Sequence, residues 1–327
     1  MHILVLGAAG MLGRKLVQRL AADRFLNGTP IRELHLADVV APSPPASAPF
    51  PVSAEACDLA DAAVAARLVA RRPEVIVHLA AVVSGDAEEN FERGYRVNLH
   101  GALHLFEAVR AAGEGYCPRV VFASSLAVYG APLPDPVPDD HRLTPFTSYG
   151  TQKAIGELLL ADYSRRGVLD GVGLRLPTIC VRPGRPNKAA SGFFSSIIRE
   201  PLNGEEAVLP VSEDTTHWFA SPRAAVGFLV HAVSLSHADL QGDRNLTMPG
   251  VAASVGEQIE ALRRVAGEAA VRRIRREPND RVARIIAGWP RSFEARRARQ
   301  LGFIAEASFD DIVQVYIADE LGRSAAA

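Results

Sequence analysis

Tyr149 and Lys153 lie four residues apart, a spacing that puts both side chains on one face of a helix. Together they could move a proton. A free tyrosine titrates at about 10 and is a poor base at neutral pH, but a neighbouring ammonium favours the phenolate and lowers that value. The phenolate can then take the proton of an alcohol while hydride leaves the carbinol carbon. Lysine is scarce in this chain: of 36 basic residues only Lys15, Lys153 and Lys188 are lysines. A lysine kept in an arginine-rich chain is a candidate for a place that needs a compact ammonium. Lys15, on the polar face of the first helix, reads as incidental. Taken alone, Tyr149 and Lys153 are equally one face of an ordinary helix.

A second group could hold an anionic cofactor. Gly7-Ala8-Ala9-Gly10-Met11-Leu12-Gly13 joins an apolar run to a helical pattern at the start of the chain. Glycine lets the chain turn sharply and lets a diphosphate approach the backbone, and the helix N-terminus adds unpaired N–H groups. Asp38 closes the next apolar run. There a carboxylate can accept from both hydroxyls of an adenosine ribose and repel a 2′-phosphate, which favours NAD over NADP; the plainer reading of Asp38 is a turn residue.

These residues need a scaffold, and the pattern supplies one. Strands are predicted at His2–Gly7, Glu33–Asp38, Val75–Leu79, Arg119–Ala123 and Val172–Leu176. Helices are predicted at Met11–Ala22, Asp58–Arg71, about Ala87 to Ala112, and from Ser148. The β-α-β alternation predicts an α/β, Rossmann-type, doubly wound parallel sheet. Residues 41–49 and 130–145 are proline-rich breaks. Beyond Leu176 the alternation weakens into scattered helices (Phe193–Arg199, Pro222–Val233, Val255–Ala266, Phe309–Leu321) and short strands. The chain is therefore divided into an NAD-binding unit, 1–175, and a smaller α/β substrate lobe, mainly 176–327, with some chain crossing back to the sheet.

Composition excludes other classes. The net charge of −1 leaves no basic field for nucleic acid or an anionic membrane. No apolar run approaches the roughly 20 residues that span a bilayer. The N-terminal apolar run lacks a basic leader, so no secretory signal is expected. Cys57, Cys117 and Cys180 fit neither a disulfide framework nor a metal site. A cytoplasmic protein without a metal is expected.

Further motifs stand in order along the chain: Asp58-Leu59; His78-Leu79-Ala80-Ala81; Asn98 within Val97-Asn98-Leu99-His100-Gly101; Ser124-Ser125-Leu126-Ala127-Val128-Tyr129-Gly130; Tyr149-x-x-x-Lys153; and Arg175 through Gly184. With G-x-x-G-x-x-G at its start, the chain resembles the extended short-chain dehydrogenase/reductase superfamily, home of the sugar-nucleotide epimerases and dehydratases. The resemblance implies that NAD is held by Gly7, Gly10, Met11, Leu12, Gly13, Asp38, Asp58, Leu59, Leu79, Ala80, Ala81, Asn98, Tyr149, Lys153 and Thr178. It makes Ser125, Tyr149 and Lys153 catalytic, with Ser125 holding the substrate oxygen and Lys153 also on the nicotinamide ribose. It also implies a homodimer, in which the 87–112 and 148–165 helices of two subunits form a four-helix bundle. Val97, Leu103, Leu105, Ala108, Ile155, Leu158, Leu159 and Tyr163 are the apolar residues for that contact.

The motifs also bear on the reaction. A dehydratase of this superfamily carries Asp-Glu where this chain has Leu126-Ala127, which argues against that branch. Asn187 falls near a phosphate-contacting asparagine of the sugar-nucleotide epimerases and keeps that alternative open. The stretch from Leu176 to Phe194 instead gathers cations and small hydroxyls, which suits a compact anion such as a carboxylate. With residues 78–85 and 218–223, it resembles members that oxidise a small sugar acid, implying oxidation of a C2 hydroxyl. Ser84, Ser125, Tyr149, Thr178, Asn187, Lys188, Ser191 and Arg223 are the expected substrate contacts. A non-catalytic NAD-binding regulator is the third reading, opposed by the intact Ser125, Tyr149 and Lys153.

Overall fold

The computed structural model describes residues 1–184 and 191–322. In chain order the strands of its two larger sheets are β1 (His2–Leu6), β2 (Glu33–Asp38), β3 (Val52–Ala56), β4 (Val75–His78), β5 (Arg119–Ser125), β6 (Asp170–Leu176), β7 (Thr178–Ile179), β8 (Thr216–Ala220), β9 (Asn245–Thr247) and β10 (Val251–Ser254). The central sheet has seven strands in the order β9-β6-β5-β4-β1-β2-β3, and every pairing is parallel. The three-stranded sheet runs β10-β8-β7. The helices that matter to the site are α1 (Met11–Asp23), α2 (Ala62–Val69), α3 (Ser84–Glu89), α4 (Gly101–Ala111), α5 (Ser148–Arg165), α6 (Gly192–Leu202) and α7 (Pro222–Ala232).

The central strands are continuous apolar runs because helices cover both faces of the sheet, so alternate positions are equally dry. Ile3, Leu4, Val5 and Leu6 of β1 are all buried, as are the four residues of β4. One core joins β1 and β6 to Val17 and Leu20 of α1 and to Phe228 and Leu229 of α7. A second core gathers Phe194 and Ile197 of α6 with Phe219, Ile259 and Ile312. Phe193 and Phe194 are core residues. The chain crosses back after β8: α7 packs on the α1 side, and β9 extends the central sheet beside β6.

Two helices differ from the sequence reading. The stretch 87–112 is not one helix. It is α3, a short helix at Phe91–Gly94, a π-helical turn at Tyr95–His100, and α4. Asn90 interrupts it, because its side chain accepts from the Arg93 N–H at 3.0 Å and starts a new helix. Likewise Asp58 lies outside α2, which begins after Asp61, whose carboxylate accepts from the Ala63 N–H at 2.8 Å.

The strand order reverses direction at β1, which has β2 on one side and β4 on the other. In such sheets ligands sit at the C-terminal strand ends beside the switch point. The Gly7 turn, Asp38, the 79–84 segment, Ser125 and Thr178 all leave that edge.

Candidate active site

The glycine turn is built for close approach. Gly7 has φ +83°, and a Cβ there would lie 2.6 Å from the Ala80 nitrogen. The turn after β1 is thus seated against the backbone that leaves β4. A Cβ on Gly13 would lie 2.3 Å from the Gly7 carbonyl oxygen, so the first turn of α1 folds back tightly onto the loop. No side chain caps α1 at Gly10. The N–H groups of its first turn, at Met11 and Leu12, remain donors for a diphosphate. Asp38 sits beside them: one oxygen accepts from the Ala9 N–H at 2.9 Å and the other from the Val39 N–H at 2.7 Å.

The remaining expected cofactor residues divide by role. Asp58 pairs with Arg96 at 2.6 Å, which holds its carboxyl below the usual range. Leu59 is buried. Leu79, Ala80 and Ala81 form the exit of β4, next to Gly7. Asn98, 1% exposed, is fully engaged: its oxygen accepts from the Val82 N–H at 2.8 Å, and its nitrogen donates to the Val82 carbonyl and the Gln152 side chain. Asn98 therefore locks the 79–82 segment to α5.

The group of Ser125, Tyr149 and Lys153 is assembled by one glycine. A Cβ on Gly150 would fall 2.0 Å from the Ala127 carbonyl oxygen, so α5 starts in backbone contact with the turn that follows β5. Thr147 caps that start, accepting from the Gly150 N–H at 3.0 Å. Tyr149 is thereby brought near Ser125, whose hydroxyl acts to lower the phenol. One turn on, the Lys153 ammonium is 2% exposed, donates to the Ala123 carbonyl at 2.7 Å, and lies 5.7 Å from the Tyr149 ring centre. Burial pushes Lys153 down to about 8, opposed by the Glu157 carboxylate.

Glu157 anchors the far side of the group. It forms an ion pair with Arg175 at 2.8 Å and accepts from the Ser124 hydroxyl. Arg175 also donates to the Tyr129 hydroxyl at 2.7 Å. This buried network ties α5 to β5 and β6.

The electrostatics differ from the sequence expectation in one respect. Burial raises the Tyr149 phenol, and the groups that oppose it are the Ser125 hydroxyl and the Arg182 guanidinium, not Lys153. The Lys153 ammonium is turned to the Ala123 carbonyl. Sequence reasoning missed Arg182, although it stands in the cation-rich stretch after β6.

On the substrate side, Ser84 opens α3 and is partly buried. The Thr178 hydroxyl meets His217 Nε2 at 2.7 Å, and His217 Nδ1 meets the Pro290 carbonyl at 2.9 Å. Burial pushes His217 down to about 4, so it is neutral at pH 7. Nδ1 must then carry the proton, and the Thr178 hydroxyl donates to Nε2. Ser191 accepts from Arg182. Asn187 and Lys188 lie outside the described residues. Arg223 is not brought to the group: its guanidinium is half exposed and paired with Asp319, which draws it away from the expected substrate contact.

Residues 3–219 match the model of the NAD-dependent epimerase/dehydratase family. The chain belongs to that family. NAD is accordingly its cofactor, and the Gly7–Gly13 cradle, the uncapped α1 and Asp38 fit it. The chain is 48% identical to D-erythronate dehydrogenase of Cupriavidus necator, over 98% of each chain. It is 39% identical to D-erythronate dehydrogenase of Haemophilus influenzae, over 97% of this chain and 99% of that one. The crystal structure of the nucleoside-diphosphate-sugar epimerase from Agrobacterium tumefaciens superposes with a TM-score of 0.97 at 60% identity, covering 99% of this chain and 95% of that chain. Among the described residues no helix is long and apolar enough to cross a membrane.

Proposed function

We propose that this NAD-dependent oxidoreductase is a sugar-acid dehydrogenase that oxidises the C2 hydroxyl of D-erythronate to 2-oxo-erythronate. The observation that carries the reading is the near-full-length similarity to two D-erythronate dehydrogenases, which spans the substrate side as well as the cofactor half. Bound NAD supplies the hydride acceptor. The Ser125 hydroxyl orients the substrate C2 oxygen, and the Tyr149 phenolate accepts its proton as the C2–H bond breaks and the carbonyl forms. The Ser125 hydroxyl and the Arg182 guanidinium favour the phenolate, and Lys153 holds the ribose beside it. Leu126 and Ala127 leave no acid and base beside Ser125 for eliminating water.

The 60% identical structure called a nucleoside-diphosphate-sugar epimerase favours a second reading, an epimerase of sugar nucleotides. The two differ in net redox change. A dehydrogenase accumulates NADH with D-erythronate; an epimerase interconverts UDP-sugars without accumulating any. A plate of four- to six-carbon sugar acids and UDP-hexoses, read for NADH and for sugar composition, separates them.

We also infer a cytoplasmic homodimer joined through α4, α5 and the 95–100 turn. Leu158 is 66% exposed, and Val97, Leu103 and Ile155 are partly exposed. Leu105 belongs instead to the core of its own chain. A sedimentation mass of one subunit at micromolar concentration contradicts the dimer.

A further inference from the structure

Arginines withdrawn from water in this molecule have acid partners. Among the described residues that are buried or largely so, Arg119 and Arg244 pair with Asp170, Arg175 with Glu157, Arg199 with Glu200 and Arg297 with Asp243. Arg182 is the exception: partly buried, with no carboxylate among the described residues beside it. Burial pulls its pKa down, and the groups that act on it are the Cys180 thiol, the Tyr149 phenol and the Arg199 guanidinium, none of them a carboxylate. A guanidinium does not escape by losing its proton, so the charge stays. A cation held in that state calls for an anion that the fold does not provide.

The side chain is also held in place. Its Nε donates to the Ile179 carbonyl at 2.9 Å, and one Nη donates to the Ser191 hydroxyl. Its backbone N–H donates to the Ser195 hydroxyl at 3.0 Å, and its carbonyl accepts from Arg199 at 2.8 Å. These four bonds fix a cation just beyond the end of β7, within electrostatic reach of Tyr149. The Thr178 hydroxyl, on the same strand, donates its hydrogen bond to His217, which leaves its oxygen as an acceptor for a substrate hydroxyl.

We propose that Arg182 is the anchor for the substrate carboxylate and selects acids over neutral alcohols. This rests on the sugar-acid dehydrogenase reading above. The carboxylate supplies the missing counter-charge, and a charge-assisted pair to a pre-positioned guanidinium both attracts the acid and orients its C2 hydroxyl toward Tyr149. Arg182 touches the carboxylate and, from the same position, favours the Tyr149 phenolate.

The test compares wild type, Arg182→Gln and Arg182→Lys with D-erythronate and with its uncharged amide. In Arg182→Gln, kcat/KM for the acid falls about 10²–10³-fold, mostly through KM, the scale expected when one partner of a buried pair is removed. The lysine variant, which keeps the charge and loses the planar fork, falls between. Turnover of the amide falls much less than that of the acid, because it loses only the support that the guanidinium gives the Tyr149 phenolate, and that smaller loss is recovered as pH rises; NAD affinity stays as in wild type. Calorimetric titration of D-erythronate checks the same loss without turnover. An acid KM within about twofold of wild type, or an equal loss on acid and amide, overturns the assignment while leaving the dehydrogenase reading intact. A wild-type enzyme that reduces NAD with no sugar acid overturns that reading, and this assignment with it.

Discussion

Replacing Lys153 by methionine should abolish turnover and yet stabilise the fold. The ammonium is 2% exposed, has no ion pair among the described residues, and is compensated by one carbonyl and by the face of Phe122 at 4.9 Å. Burial takes its pKa from 10.5 to about 8. At about 1.4 kcal/mol per pH unit, holding the charge inside costs the folded state about 3 kcal/mol. Losing the bond to the Ala123 carbonyl and the contact over Phe122 offsets roughly 1–2 kcal/mol of that. The net gain for Lys153→Met is about 1–2 kcal/mol. Its pH dependence has a definite sign. Below about pH 8 both folded and unfolded chains carry the proton and the cost is complete. As pH rises from about 8 toward 10.5 the folded chain sheds the proton first, the cost fades, and the variant loses its advantage. Urea unfolding of the two proteins at neutral and alkaline pH reads this directly. A variant destabilised by more than about 1 kcal/mol at neutral pH, or an advantage that does not shrink with pH, refutes the reasoning.

Tyr149→Phe should lower kcat by about 10²–10⁴-fold with NAD binding nearly unchanged. Because burial raises the phenol, wild-type oxidation should climb as pH rises while residual activity of the variant does not; a near-wild-type rate in the variant refutes the role. Asp38→Ala combined with Val39→Arg removes the ribose acceptor and places a cation at a residue that is 69% exposed, so preference should move toward NADP; unchanged kcat/KM ratios for the two cofactors would count against Asp38. Gly13→Ala sets a Cβ against the Gly7 carbonyl oxygen and should weaken NAD at least about tenfold, measured by fluorescence titration; unchanged affinity contradicts the close packing. Lys188→Ala should raise KM for D-erythronate far more than it changes NAD affinity, and kcat/KM within about twofold of wild type removes Lys188 from the site.

The fold was legible where burial is two-sided. β1, β4 and β5 read as apolar runs because each face of the sheet is covered. The edge strand β3, Val-Ser-Ala-Glu-Ala, is partly exposed and lacks such a run, so it left no signal of its own. The break at Asn90 was hidden because an asparagine cap looks like any polar helix residue until its partner is known. At the site, spacing carried Tyr149 and Lys153, since four residues on a helix is a local relation. Arg182 was not legible. One cation among several in the 182–188 stretch is distinguished only by the acid it lacks, and that is a property of packing. Arg223 illustrates the converse: its position in the chain suggested the site, and Asp319, 96 residues away, draws its guanidinium elsewhere.

In the proposed reaction hydride leaves C2 of a small sugar acid as Tyr149 takes the hydroxyl proton. D-erythronate carrying deuterium at C2 tests it most directly. The label should appear in NADH, 2-oxo-erythronate should form in equal amount, and the labelled substrate should react more slowly. Label retained in the sugar acid, with UDP-sugars interconverted and no NADH formed, would contradict it.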